Sequence, residues 1–409
     1  MSKVTKPVVL DETAKQVVAQ IQLQNEILTS LASGINYKPT SIKDVLNVVR
    51  AGQASKVFQV GDQIIVPWTD ITNGQKYEVP LDITSFGTST LQDGEELPSM
   101  TVQWHYATPF GVQFNQYQAF FYSTEELPAG TYNIEIGTSW GTHCVAGKSY
   151  QFTLTKPVPA GGQLAGFRGA PDNDPSTWKV YSYNTKSAVD AIETVSVTEG
   201  SSGTKLGVLK TGGDGKLNCL QRVAYGYNRW SQSAMRQWLN SEKGVGEWWT
   251  PQNDFDRCPD QLATKAGFLT GFDADFLEIL RPTKVVTALN TITDSTSSNS
   301  VDPLETTYDK IYLPALEQMS IEPQLAGEGT TWDYWKRASN MTTKMKQYQT
   351  YPQIRTFAIE NHTSPQTVRL RSAYRGNSYY TWCVNSSGNV SNGYYAINAV
   401  RCAPACDFC

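Results

Sequence analysis

The sequence predicts an α+β fold in which helices come first and short strands and helices alternate afterwards. Three observations lead to this prediction: helical periodicity near the N-terminus, alternating apolar runs between turn residues in the middle, and capped helices beside strands in the C-terminal half. At 409 residues the chain is too long for one ordinary core. We therefore expect two or three domains.

The first 37 residues are predicted to attach or oligomerise the protein. Residues 11–33 are helical in pattern, and Gly34 with Lys38-Pro39 ends the helix. Alternating spacings of three and four residues form a short coiled-coil seam with a polar register position at Gln24. A helix this polar needs a partner, either its own domain or a homotypic bundle, with a trimer favoured among oligomers. The seam positions are Ala14, Val17, Ile21, Gln24, Leu28 and Leu31.

Residues 38–99 are predicted to form a helix followed by the first strands. Ser41 is a helix N-cap and Asp44 completes a capping box, which places a helix at about 41–51. Residues 56–70 are typical of two strands paired around a Gly61-Asp62 turn. Residues 100–160 are predicted to form a β-rich sandwich-like or jelly-roll unit, because alternating runs at 130–136 and 148–156 are separated by turn residues.

The remaining part of the chain, 161–409, is predicted to be a mixed domain. Pro and Gly are dense at 157–176, which indicates a linker or crossing loop. Helices are expected at 231–242 with a Ser N-cap and at 273–282, where Pro282 stops the second. Strands are expected over 283–291 and 309–316, and 328–339 mixes turn and helix.

Charge and composition exclude several classes of function. The net charge is -4 with a pI near 5.6, and no basic run occurs, so nucleic-acid binding is rejected. The N-terminus has no signal pattern, and no apolar run approaches the roughly 18 residues of a membrane span, so synthesis in a cytoplasm without membrane insertion is expected. The odd number of cysteines favours mostly free thiols over a disulfide framework.

No catalytic or metal-binding pattern stands out, so the sequence predicts neither an enzyme nor a cofactor. His143 and Cys144 could join the cysteines of 402–409 in a zinc set, but the spacings match no known zinc pattern and no metal is expected. Asp172 to Asp174 resembles loose calcium ligands without the glycine and terminal Glu of a calcium loop, which favours a solvated turn. Nucleophile-elbow, dinucleotide and phosphate-loop motifs are missing from the sequence, as is a recognisable carboxylate pair.

The composition of residues 371–400 is the strongest indication of function. These thirty residues hold five Tyr, five Asn and five Ser, with no Asp, Glu or Lys. The mixture is typical of antibody binding sites, where Tyr supplies rigid contact area and Ser, Asn and Gly supply adaptable hydrogen bonds. An ordinary turn-rich β segment has a similar composition and remains the alternative.

Four segments in order resemble a known domain family. They are NRWSQSAMRQWLNSE, GFDADFLEILRPTKV, TYDKIYLPALEQM and the long C-terminal run from RLRSAYRGNSYYTW to RCAPA. Together they resemble the C-type-lectin-like domain of phage variable proteins diversified by retroelements, which is related in fold to the formylglycine-generating and sulfatase-modifying enzymes. The resemblance covers roughly 178–405, with 56–68 as an early strand pair. It implies a C-type-lectin-like domain carrying the β insertion.

The resemblance also implies which C-terminal positions vary and which form a fixed framework. In this family the last stretch carries Asn codons in which adenines are replaced at random. The implied ligand-binding, variable positions are Tyr374, Asn377, Ser378, Tyr379, Tyr380, Asn385, Ser386, Asn389, Ser391, Asn392, Tyr394, Tyr395 and Asn398. The implied framework is Leu370, Arg371, Ser372, Gly376, Trp382, Val384, Gly388, Val390, Arg401 and Pro404.

By the same resemblance the chain is expected to be a virion-borne, tail-fibre-type adhesin. Its partners would be a bacterial surface protein or glycan, other virion structural proteins and further copies of itself. One alternative is a virion decoration protein that adheres to mucus or cell glycans. Another is a sulfatase-modifying-type enzyme, whose chemistry needs a redox- or copper-active Cys pair. The single close Cys cluster in the sequence is the tail at 402–409, which disfavours that activity.

Overall fold

The computed structural model describes most of the chain. The described residues are 17–18, 21–22, 24–26, 28–29, 38–115, 118–123, 126–137, 139, 145–158, 163–167, 179–183, 191–209, 219–224, 228–250, 258–289, 304–339, 357–375 and 380–409. Several small sheets and a few short helices make up a mixed fold, so the predicted α+β class is confirmed.

The helices described beyond residue 40 are short, with at most nine residues each. The described residues between 17 and 29 are helical and exposed. Short 3-10 helices lie at Trp230–Gln232, Phe268–Gly271 and Glu317–Met319. The α-helices are α1 (Ile42–Arg50), α2 (Ala54–Val57), α3 (Ala234–Leu239), α4 (Asp260–Ala263), α5 (Ala274–Ile279) and α6 (Asp333–Ser339).

Eighteen strands are described, and they form five sheets. The first nine are β1 (Gln63–Asp70), β2 (Gln75–Thr90), β3 (Glu96–Trp104), β4 (Gln118–Ser123), β5 (Gly130–Ile136), β6 (Ser149–Leu154), β7 (Gln163–Phe167), β8 (Lys179–Tyr183) and β9 (Ala191–Ser196). The others are β10 (Thr198–Glu199), β11 (Thr204–Leu209), β12 (Cys219–Ala224), β13 (Thr283–Ala288), β14 (Leu304–Asp309), β15 (Val368–Ala373), β16 (Tyr380–Val384), β17 (Val390–Tyr395) and β18 (Ala405–Phe408).

The sheet β1-β2-β3-β18 brings the last strand of the chain next to the first three, because β18 pairs antiparallel with β3. Its side chains pack with those of the C-terminal helices in one core that runs from Val45 to Phe408. A hairpin, β13-β14, and the sheet β15-β16-β17 complete this part. Burial of these apolar side chains is the main source of stability for the domain.

Two further sheets form the β-rich middle. Their orders are β10-β6-β5-β11, with β5 and β11 parallel, and β12-β4-β7-β8-β9. Tyr132, Ile134 and Phe152 are buried in the first of these sheets and lie outside the main core. The predicted domain boundaries remain a prediction, but β3 continues across residues 99 and 100, and the small sheets use strands as far as Ala224.

The predicted helix at 41–51 is confirmed, with its cap. The Ser41 side chain accepts a hydrogen bond from the Asp44 amide at 3.1 Å, and the Asp44 carboxylate accepts from the Ser41 amide at 3.0 Å. The helices predicted at 231–242 and 273–282 are also present but shorter. The first begins at Ala234 with Ser233 as its N-cap, so the predicted start was two residues early.

The strand pair predicted within 56–70 is wrong. Helix α2 occupies its first part, and a single strand, β1, follows and pairs with β2. The hairpin turn lies instead at 71–74, where the Asp70 carbonyl accepts hydrogen bonds from the Asn73 and Gly74 amides. Gly74 has a φ of 73°, which glycine adopts without strain.

The strand predicted at 309–316 is also wrong, because β14 ends at Asp309. The Asn240 side chain then accepts hydrogen bonds from the Lys310 and Ile311 amides, at 2.7 Å and 3.0 Å. At this point a side chain, and not the backbone of a neighbouring strand, accepts the hydrogen bonds of the backbone amides. The predicted linker at 157–176 contains strand β7, and the rest of it lies largely outside the described residues.

Candidate binding surface

The C-terminal candidate surface is the antiparallel sheet β15-β16-β17 together with its turns. β16 lies in the middle and pairs Arg369 with Cys383 on one side and Tyr380 with Tyr395 on the other. Every residue of β15 is buried, whereas β16 and β17 carry partly buried and exposed positions. The buried strand fixes the sheet to the domain and leaves the other two strands nearer to solvent.

Arg371, a predicted framework residue, anchors β15 in the core. Its guanidinium donates five hydrogen bonds, and its side chain is fully buried. Burial lowers the pKa of this group, and the nearby carboxylate of Glu328 opposes that shift. The acceptors are Thr287 Oγ1, the Leu313 carbonyl, Gln318 Oε1, the Val286 carbonyl and the Glu328 carbonyl.

Arg369 has an equal structural role that the sequence reasoning missed. It is fully buried and donates to Thr381 Oγ1 in β16 and to the carbonyls of Tyr395 and Asn398, at 3.2 Å and 2.8 Å. One side chain of β15 thus holds both β16 and the end of β17. Two arginines at positions i and i+2 of a strand point to the same face, so their spacing in the sequence indicates that Arg369 is anchored like Arg371.

Four aromatic side chains cluster at one end of the sheet, and all are half-buried. The rings of Tyr380 and Tyr395 stack with centroids 4.8 Å apart. Tyr374 meets Tyr380 and Trp382 edge to face, at 6.1 Å and 5.5 Å. The structure therefore brings three predicted contact residues together with one predicted framework residue.

Asn228, which the sequence reasoning also missed, positions this cluster. Its buried side-chain amide donates to the carbonyls of Tyr374 and Tyr380, at 3.2 Å and 2.6 Å. The end of β15 and the start of β16 are therefore held together from a segment about 150 residues earlier in the chain. No local pattern in the sequence indicates this contact.

Two of the predicted variable asparagines support the backbone. Asn385 Oδ1 accepts from the amides of Ser387 and Asn389, at 3.0 Å and 2.9 Å, in the turn between β16 and β17. Asn398 Oδ1 accepts from the Tyr395 amide at 2.7 Å. Their short polar side chains replace backbone acceptors, as Asn commonly does in turns. Both residues therefore shape the surface in addition to any contact with a ligand.

The other predicted variable positions divide by exposure. Ser386 and Asn389 are exposed in the turn, and Ser391 and Tyr394 are half-buried in β17. Asn377, Ser378 and Tyr379, with the framework residue Gly376, lie outside the described residues, as does the side chain of Asn392.

The other residues predicted to form the framework differ in burial and in backbone conformation. Gly388 has a φ of 83°, and Val384 is 1% exposed while its cross-strand partner Val390 is 38% exposed. Val390 therefore lies at the surface, not in the core. Arg401 binds both carboxylate oxygens of Glu360 at 2.8 Å and donates to the Thr108 carbonyl. Leu370, Ser372 and Pro404 are buried.

Cys383 of β16 and Cys402, which follows β17, are buried and form no disulfide. Burial raises the pKa of Cys383, and it raises that of Cys402 to about 12. Cys406 and Cys409 are free and buried as well, and Cys258 is free and partly buried. Within the described part of the chain, no three His, Cys, Asp or Glu side chains are grouped to hold a metal ion. His143 and Cys144 of the zinc alternative lie outside it.

Comparisons with known proteins give one match. A family model described as a domain of unknown function, DUF6273, matches residues 216–407, which include β13 to β17 and nearly all of β18. Neither the curated proteins nor the solved structures contain a match to this chain. Among the described helices, none has the length and apolar character needed to span a membrane.

Proposed function

We propose that the chain is a phage adhesin that presents a diversified C-terminal surface to molecules on a bacterial host. In this proposal residues 161–409 form a C-type-lectin-like domain, and the protein binds its partner without catalysing a reaction. One observation supports the proposal most directly. The Tyr-, Asn- and Ser-rich strands β16 and β17 are held to the buried strand β15 by Arg369, and Arg371 ties β15 to the rest of the domain.

That arrangement supports a surface that tolerates substitution. Arg369 fixes the backbone at the end of β17, and Arg371 fixes β15 to the carbonyls of Leu313 and Val286. Both side chains are buried, so changes at exposed positions leave these bonds intact. Tyr380 and Tyr395 provide aromatic contact area, and Ser386 and Asn389 provide exposed polar groups. Such a mixture binds proteins or glycans without burying an unpaired charge.

The cysteines favour binding over sulfatase-modifying chemistry. A reactive cysteine needs a lowered pKa and access to solvent. Cys383 and Cys402 are buried, and burial raises the pKa of both thiols. The pKa of Cys406 is likewise raised well above its usual value of 9.0. These thiols are therefore protonated at neutral pH.

The proposal places the protein on a virion, with the N-terminal helix joining it to other copies or to virion proteins. Val17, Ile21 and Leu28 are 49%, 51% and 40% exposed on that helix, although they occupy the apolar seam. Association of several copies would cover the seam and multiply weak individual contacts into firm adhesion.

Sequencing this locus across related phage isolates tests the proposal directly. We expect substitutions to concentrate between 374 and 398, at Tyr, Asn and Ser positions, while Arg369 and Arg371 stay unchanged. Purified protein should also block adsorption of the phage to its host. Substitutions spread evenly over the chain, together with no effect on adsorption, would refute the proposal.

A further inference from the structure

An open groove of about 490 Å³ lies between strands β2 and β13, with β3 and the turn at 328–330 completing its walls. This volume is within the range of about 300–1,000 Å³ that is usual for small-molecule sites. None of the predicted variable positions lines it. The groove is therefore a separate feature from the C-terminal surface.

The lining of the groove is rich in hydroxyl groups. Seven of its residues are Ser or Thr, and each hydroxyl can both donate and accept a hydrogen bond. Within the described part of the chain, the Ser85, Thr88 and Thr330 hydroxyls make no hydrogen bond to the protein. The hydroxyl-bearing residues are Ser85, Thr88, Ser89, Thr90, Ser99, Thr101 and Thr330.

Two buried carboxylates lie at the base of this lining and are held in place. Asp407 accepts hydrogen bonds from the hydroxyls of Thr101, Thr283 and Tyr312, at 2.7 Å, 2.8 Å and 3.1 Å. Glu328 accepts from the Ala288 amide at 3.0 Å and from the Ser372 hydroxyl. The polar base is consequently rigid before any ligand arrives.

Glycines give Glu328 its position. Gly327 and Gly329 on either side of it have φ values of 114° and 139°, which side-chain-bearing residues rarely adopt. The glutamate between these two glycines is 2% exposed. Glycine adopts this backbone without strain, so the two positions allow the turn that places Glu328 in the lining of the groove.

We propose that this groove binds a saccharide. A sugar offers many hydroxyls that pair with Ser and Thr hydroxyls, and the partly buried Phe86 ring gives its carbon face an apolar contact. Lys284 is exposed at the groove and adds a donor for an oxygen of the ligand. The proposal does not depend on the function proposed for the C-terminal surface, because the groove residues belong to other strands.

Gly87 offers a sharp test, since a Cβ atom at this position meets no atom within 4 Å and its backbone is not left-handed. Gly87→Leu should therefore fill the groove without straining the fold. Gly393→Leu is the matched control on β17 of the C-terminal surface. There an added Cβ reaches Ser391 Oγ at 3.5 Å, an ordinary contact.

Saturation-transfer NMR of the full chain with D-glucose, D-galactose, D-mannose and N-acetyl-D-glucosamine measures the binding. We expect at least one of these sugars to bind, the signal to vanish in Gly87→Leu, and the Gly393→Leu protein to keep it. Binding of none of the four sugars, or binding that a folded Gly87→Leu protein retains, overturns the proposal. So does a signal that Gly393→Leu removes.

Thr330→Val keeps the test decisive if Gly87→Leu fails to fold. Thr330 is exposed and its replacement has nearly the same shape, so the fold should be unaffected. Losing one hydroxyl contact should weaken sugar binding by about 3- to 10-fold. Unchanged affinity in this variant overturns the proposal. Failure here leaves the adhesin proposal intact, because phage adsorption and locus variation test the other surface.

Discussion

Tyr380 and Tyr395 stack across β16 and β17, with ring planes 17° apart and centroids separated by 4.8 Å. They are direct cross-strand partners, and this geometry is typical of a stabilising aromatic pair on one face of a sheet. Both belong to the positions predicted to vary. The pair therefore unites the two properties that a binding surface needs, a large contact area and a defined orientation.

Tyr380→Ala should weaken adhesion to host cells by about tenfold, because Tyr side chains that a partner buries are frequent binding hot spots. Cell-binding assays with the purified chain measure the change, and thermal melting checks that the fold persists. Tyr308→Ala is the matched control, since Tyr308 is also half-buried but lies on β14. Equal loss in the two variants would contradict a specific role for the Tyr380–Tyr395 pair.

Arg371→Met should lower the free energy of unfolding by about 3 kcal/mol or more, because it leaves buried partners unsatisfied. The carbonyls of Val286, Leu313 and Glu328 would lose their donor. Urea denaturation measures the difference. Arg375→Met is the control, because this half-buried arginine donates one side-chain bond to the described residues, at the Leu289 carbonyl. A loss below about 1 kcal/mol for Arg371→Met would contradict the anchoring role.

Local signals explain which parts of the fold the sequence could predict. The capping box of Ser41 and Asp44 is formed within four residues, and its helix was predicted with nearly correct ends. The Asn73-Gly74 turn carries an equally local signal, since Asn-Gly is strongly favoured in two-residue hairpin turns. The wrong strand pair within 56–70 follows from the turn signal of Gly61-Asp62.

Long-range contacts explain what the sequence could not supply. Asn228 bonds to the backbone of Tyr374 and Tyr380, and β18 pairs with β3 across about 300 residues. Neither contact is indicated by a periodicity or a motif in the sequence. The segment that carries the candidate surface nevertheless stands out in composition, because its Tyr and Asn residues are continuous in the sequence. Its buried base, Arg369 above all, became visible only with the strand pairing.

Gly388→Ala should destabilise the protein by about 1–2 kcal/mol, because its φ of 83° places Cβ against the backbone in any other residue. Gly388 donates its amide to the Asn385 carbonyl at 2.8 Å, so the turn between β16 and β17 would have to shift. Thermal and urea unfolding report the cost. Gly393→Ala lacks the left-handed backbone and should change stability far less. Similar losses in both variants would show that the turn is not the cause.

Stability should decline as the pH rises above about 9, because burial raises the pKa of Cys402 from its usual 9.0 to about 12. The unfolded thiol loses its proton near pH 9 while the folded one keeps it. The folded state therefore binds more protons between pH 9 and 12. The contribution of this thiol to the free energy of unfolding is complete below pH 9 and is lost as the pH rises to about 12. Cys402→Ala should reduce the slope by up to about 1.4 kcal/mol per pH unit.

Urea unfolding at a series of pH values measures this slope. Cys258→Ala is the control, because Cys258 is only partly buried and should leave the slope of the parent protein unchanged. Cys406 and Cys409 are also buried thiols with raised pKa values, so part of the decline should persist in Cys402→Ala. A pH profile that is the same in the parent and in Cys402→Ala would contradict the assignment.

The N-terminal helix should hold several copies together through its apolar seam. Replacing Ile21 and Leu28 with Asp should convert the oligomer to monomers, because both side chains are exposed in the single chain and a charge at such a position opposes coiled-coil packing. Sedimentation equilibrium measures the mass of each variant against the 45.3 kDa of one chain. Gln22→Asp with Asn25→Asp adds the same charge at exposed positions off the seam and should leave the oligomer intact. A parent protein that sediments as a monomer at micromolar concentration would rule out this assembly. Equal dissociation of both double variants would show that net charge, and not the seam, controls association.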